Sequence, residues 1–157
     1  MILKDVPQSD WENPSLGVHK AVCVDWVDLG LQETEYGEKQ RVKLVFELDE
    51  NKTDGTPIRI GRKFNATIAE KSALRASLKS WRGADLTAEE REHFDLEQLI
   101  GAQAQVNIEE WTKTGGAKGT KIGAILPPAD GQDMVPDADF TRRKNKKKEE
   151  ESEEAPF

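Results

Sequence analysis

The sequence predicts a mainly β domain with a helical insert and a disordered acidic tail. Three observations carry this. Residues 40–49 alternate apolar and polar side chains with strict period two. Helical spacing and capping signals are confined to the stretch between Thr67 and Ile100. Beyond Pro128 the apolar periodicity stops and runs of like charge take over.

The first strand is read over Val18–Leu29, where β-branched and aromatic residues dominate without a helical stripe. Val18, Lys20, Val22, Val24 and Trp26 are expected on one face, and Ala21, Cys23 and Val27 on the other. Gln32–Lys39 is expected to be a loop. In Gln40–Asp49, Val42, Leu44, Phe46 and Leu48 form the inward face, with Arg41, Lys43, Val45 and Glu47 outward. Asp54-Gly55 signals a hairpin turn. Ile58–Ile68 is the third strand, with Gly61 expected at a bulge or bend.

Thr67-Ile68-Ala69-Glu70 reads as a capping box for a helix carrying Leu74, Leu78 and Trp81, with Gly83 as its stop. A second box, Thr87-Ala88-Glu89-Glu90, starts a short helix, and Asp95 caps a last turn with Leu96, Leu99 and Ile100. Ala102–Glu110 and Thr120–Leu126 are the final strands, joined by a hairpin tip at Gly115-Gly116. The expected organisation is an arm at 1–15 with Trp11 as its anchor, a domain at 16–127, and a linker and acidic tail at 128–157.

Charge is unevenly placed. Residues 142–148 carry six positive charges and residues 149–154 five negative ones, whereas 16–127 hold 16 Lys+Arg and 18 Asp+Glu. A nucleic-acid binder needs a basic face, not a basic total, so the net charge of -7 does not exclude one. The single cysteine, Cys23, rules out an intrachain disulfide, and His19 and His93 lack the ligand spacing of a metal site. No cofactor or metal is expected. There is no P-loop, HExxH or GxSxG, and Glu89-Glu90 and Glu109-Glu110 read as solvated surface. The chain is therefore not expected to be an enzyme; a nuclease reading would require magnesium-dependent DNA cleavage. No signal peptide or membrane-length apolar run is present, so the expected location is the cytoplasm of a bacterial host cell.

Three strands, a helical insert and two strands is the element order of a five-stranded OB-fold-like barrel. Other small barrels and β-sandwiches with one helix share that order. The stretch GRKFNATIAEKSALRASLKSWRG, within a likeness running from about Leu16 to Pro127, resembles small tailed-phage proteins of DNA replication and recombination modules. Some of those are described as single-stranded DNA-binding. On such a barrel a strand crosses the face of the second and third strands, between the one-two and four-five loops. The candidate contacts are Arg41, Lys43, Arg59 and Lys63 on that face. Trp111 and Tyr36 are the stacking candidates, and Lys113 and Lys118 lie in the four-five loop. Arg41 and Lys43 equally suit a solvated sheet face. Trp26, Phe46 and Trp81 suit the core better than a platform, and Arg62 suits a DNA contact or an ion pair alike.

The chain ends Glu149-Glu150-Glu151-Ser152-Glu153-Glu154-Ala155-Pro156-Phe157. An acidic run is solvated by default. Its tip, a proline followed by a ring and a terminal carboxylate, suits an apolar pocket flanked by a cation. It resembles the tip of bacterial single-stranded DNA-binding proteins, which ends in Pro-Phe, and that of the T7-like phage counterpart, which ends in Phe. The resemblance implies that Glu153, Glu154, Pro156 and Phe157 recruit replication and repair proteins. The leading expectation is thus a phage protein that coats single-stranded DNA during replication or recombination. The alternative is a protein-interaction module that mimics the host tail without binding DNA. Either is compatible with a homo-oligomer, and neither needs a membrane.

Overall fold

The computed structural model describes residues 12–112, 114–138, 140 and 142. Its elements follow the order β1 (Gly17–Thr34), β2 (Gly37–Asn51), β3 (Pro57–Asn65), α1 (Ala73–Arg82), α2 (Ala88–Glu92), a 3-10 turn (Leu96–Leu99), β4 (Gln103–Thr112) and β5 (Lys118–Leu126). The five strands form one antiparallel sheet in the order β3-β2-β1-β4-β5. The central strand pairs twice: Gly17–Val22 with β4 and Ala21–Thr34 with β2.

The inward faces of all five strands supply the core, among them Ala21, Leu44, Phe46, Phe64, Val106 and Ile125. Helix α1 turns Leu74, Leu78 and Trp81 toward it, and it packs against both edge strands, β3 and β5. The Trp81 ring meets Phe46 edge-on at 5.4 Å, and its indole N–H donates to the Gln103 carbonyl at 2.8 Å. That bond satisfies the one polar group of an otherwise buried side chain. Gly83 ends the helix in the left-handed region (φ 81°), where a residue with a Cβ is strained.

Three local expectations change. The first helix is capped by Ser72, whose hydroxyl accepts from the Arg75 N–H, not by Thr67. Ile68 packs against the core from outside the helix. The Thr87–Glu90 box forms as expected, and so does the Asp95 cap. Gly61 is not at a bulge: the β2–β3 register runs unbroken past it, from Lys43↔Lys63 to Phe46↔Ile60. Its missing Cβ makes room for the Lys43 stem, whose Cδ would lie 2.8 Å from a side chain there. Finally, Gln32–Lys39 is strand on both sides of a tight turn at Thr34–Gly37, so β1 and β2 form a longer ribbon than their apolar pattern marks.

The bulge falls in β1 instead. The register shifts between Cys23 and Asp25, which ends the strict alternation read from sequence. Cys23 pairs with inward Phe46 and Trp26 with inward Leu44, whereas Val22, Asp25 and Val27 pair with outward residues of β2. Trp26 accordingly packs against the core.

The chain does not leave the sheet at Pro127-Pro128. The Gln132 side-chain amide donates to the carbonyls of Ala21 and Ala104 at 3.0 and 2.9 Å. Met134 exchanges two hydrogen bonds with the Gln103 side chain, each 2.8 Å. The Asp137 N–H donates to the Glu47 carboxylate, and the Phe140 ring lies under the Arg59 guanidinium, 4.5 Å from Cζ to the ring centre. These contacts extend the folded body past the boundary at 127. They had no sequence signature because they are polar bonds and single ring contacts, which carry no period.

Candidate nucleic-acid interface

The register defines the outer face of the sheet as cross-strand rows, since directly paired residues point to the same side. One row is Gln103, Val22, Glu47 and Arg59, on β4, β1, β2 and β3 in turn. The next holds Asp25, Val45 and Gly61. Then come Val27, Lys43 and Lys63, followed by Gly30, Arg41 and Asn65. Beyond β3 the β1–β2 ribbon carries Gln32 opposite Lys39, with Tyr36 at its turn.

The segment from Gln132 to Phe140 follows the first row across all four strands, touching Gln103, Glu47 and Arg59. Val22 beneath it is fully buried. The outer face is thereby divided. The Gln103–Val22–Glu47–Arg59 row is covered by the chain's own strap, Val18 and Lys20 nearer the start of β1 stay exposed, and the part toward the β1–β2 turn carries the Lys43–Lys63 and Arg41–Asn65 rows.

The expected contacts separate accordingly. Arg41 and Lys43 project from β2 two residues apart, and Lys63 lies directly opposite Lys43. These three form one basic surface. Arg41 Nε is buried and has no hydrogen-bond partner among the described residues. Arg59 belongs to the covered row: its guanidinium is 3.0 Å from Glu47 and stacks on Phe140. Tyr36 stands at the ribbon turn, 81% exposed, at the far end of β1 from Trp111. Trp111 is 41% exposed on the outer face of β4, paired with Gly119, past the start of β1. Lys118 lies 3.4 Å from the exposed Glu110 carboxylate. Lys113, Glu153, Glu154, Pro156 and Phe157 lie outside the described residues, as do Trp11 and the acidic tail. Tyr36 and Trp111 therefore flank opposite ends of the sheet, and only Tyr36 adjoins the basic rows.

Arg62 has both an aromatic ring and a carboxylate near it. It is half-buried, with its guanidinium 4.9 Å from the Phe64 ring centre. Burial lowers its pKa, and the nearby Glu109 carboxylate opposes that shift. The Glu109 carboxylate in turn sits over Gly123, where a Cβ would come within 2.1 Å of it.

Two features escaped the sequence reading. Lys39 continues the outward series Lys39, Arg41, Lys43, a period-two signal that the polar composition of Gln32–Lys39 obscures. Asp25 and Glu47 are outward carboxylates with only 1% and 2% exposure. Their burial comes from the strap and from Arg59 and Arg142, and nothing local in the sequence marks it. Among the described residues, no group of three or more His, Cys, Asp or Glu side chains is placed to hold a metal ion. No described helix is long and apolar enough to cross a membrane. No protein-family model matches the chain, and no curated protein matches it.

Proposed function

We propose that the protein is a non-catalytic single-stranded DNA-binding protein of a phage replication or recombination system, built on an OB-type barrel. It takes the strand on the open part of the outer β1–β2–β3 face and recruits partners through the tip at Glu153, Glu154, Pro156 and Phe157. The observation that carries this reading is the outward cation series Lys39, Arg41, Lys43 and Lys63 on two adjacent strands. Such a series neutralises phosphates at regular spacing and releases their counterions. Arg41 adds to it. Its buried Nε–H has no acceptor among the described residues, so turning toward a phosphate oxygen would gain a bond. Tyr36, exposed at the adjoining turn, offers a ring for a base to stack on. The sheet order β3-β2-β1-β4-β5, with α1 against both edge strands, is compatible with an OB barrel in which those edges meet.

The test is anisotropy of a labelled oligo-dT titrated with the full chain at low and moderate salt. Saturable binding that weakens steeply with salt is expected. A Lys43→Gln/Lys63→Gln variant should reduce the slope of log K against log salt by roughly 1.4, about 0.7 for each single-strand phosphate no longer neutralised. Absence of binding at low salt would refute the DNA reading. Magnesium-dependent loss of the oligonucleotide would point to an enzyme instead.

A further inference from the structure

Lys43 and Lys63 are direct partners across β2 and β3, so their side chains leave the sheet in one row. Like charges directly opposite each other repel, and the row's third member, Val27, carries no charge. The neighbouring row offers relief. Gly61, paired there with Val45, is exposed, and the Lys43 stem leans diagonally over it. A Cβ on residue 61 would lie 2.8 Å from Lys43 Cδ and 2.9 Å from Cγ, closer than such atoms approach. The stem thus turns away from Lys63. Lys43 is half-buried along the sheet, whereas Lys63 stays exposed.

The backbone does not call for a glycine at this place. Gly61 is not in the left-handed region, and the strand register passes it unbroken. A glycine in mid-strand weakens pairing and commonly marks a close approach. The group that approaches here is the lysine. Its ammonium, two bonds beyond Cδ, is carried toward the Gly61 row, and Arg41 holds the row on the other side of Lys63. Three cations of two adjacent strands are spread over three rows, each about 7 Å from the next.

We infer that Gly61 is a positioning residue: by leaving room for the Lys43 stem it separates the Lys43 and Lys63 ammonium groups, so that each neutralises its own phosphate of a single-stranded nucleic acid running along β2 and β3. The inference rests on the proposed reading of this face as a nucleic-acid site. A side chain at position 61 pushes the stem back over its own row, toward Lys63, and the two cations then share one phosphate. The Leu44 carbonyl, 3.3 Å from the same added Cβ, is backbone, so the lysine is the group that gives way.

Gly61→Ala tests this with every charge kept. The slope of log K against log salt for oligo-dT should fall by roughly 0.7, one single-strand phosphate, and binding should weaken about fivefold at about 0.1 M salt. A glycine with no positioning role predicts neither change, since alanine suits a strand better than glycine does. The Lys43→Gln background supplies the control. There Gly61→Ala has no ammonium to displace, and it should leave affinity within about twofold. Wild-type affinity and slope in Gly61→Ala, or an equal loss in both backgrounds, overturns the inference.

A second readout needs neither DNA nor a variant. The Gly61 α protons should give nuclear Overhauser cross-peaks to the Lys43 γ and δ protons, and their absence overturns the positioning role. Wild-type protein that ignores oligo-dT at low salt refutes the reading of the face, and with it the phosphate role of Gly61, even where the cross-peaks are present.

Discussion

Glu47 and Arg59 face each other across β2 and β3, with Nη2 of the arginine 3.0 Å from a carboxylate oxygen that is almost wholly buried. The arginine therefore serves the carboxylate beneath the strap. The Asp137 N–H supplies a second bond to the same group. A buried ion whose partner is removed keeps its desolvation cost without the compensating attraction. Arg59→Ala should destabilise the fold by about 2–3 kcal/mol in urea unfolding. A loss under about 0.5 kcal/mol, the range of ordinary surface changes, would show the pair to be incidental.

The Trp81 contacts with Phe46 and the Gln103 carbonyl join α1 to the sheet. Trp81→Ala removes the largest side chain of the helix stripe and should cost about 3–5 kcal/mol. Trp81→Phe should cost less, since it keeps the ring contact and loses the indole donor. Equal costs for the two variants would mean that the hydrogen bond and not the packing holds α1 in place.

Cys23 is fully buried, and burial pushes its thiol up to about 12. The thiolate is the reactive form, so the folded protein should not react with a thiol reagent at pH 8. Reaction should proceed only at the rate of unfolding and rise with denaturant. Rapid labelling of the native protein would contradict its burial.

Two arginine–carboxylate forks brace the helical insert. The Arg75 fork, with the Leu86 N–H, holds Asp85 at about 2, and the Arg82 fork, with the Thr87 N–H, holds Glu90 at about 2. Both lie below their ordinary values, so the unfolded chain takes up these protons first. The stabilisation is complete above the ordinary carboxylate range, about 4, and is lost as pH falls through about 2. Thermal melting across that window should decline more steeply for the wild type than for Asp85→Asn/Glu90→Gln. Parallel curves would show that the forks contribute nothing to acid sensitivity.

The sequence by itself determined the five strands, their order and the helical insert, because these rest on local regularities. Val42, Leu44, Phe46 and Leu48 alternate, and Leu74, Leu78 and Trp81 recur at helical spacing. Thr87 and Asp95 cap where their side chains can reach a nearby backbone N–H. It also marked Arg41, Lys43 and Lys63 as outward, since period two sets both faces of a strand once the apolar one is known. Only the tertiary structure decided which outward residues share a surface. The β1 bulge exchanged the faces of that strand, an effect of pairing that no alternation within β1 records. The strap removed Arg59 from the open face and buried Asp25 and Glu47, through bonds between residues that the sequence separates by 90 and 117 positions. Contacts at that range depend on where the backbone brings two groups together, and a polar bond made once leaves no repeating pattern to read.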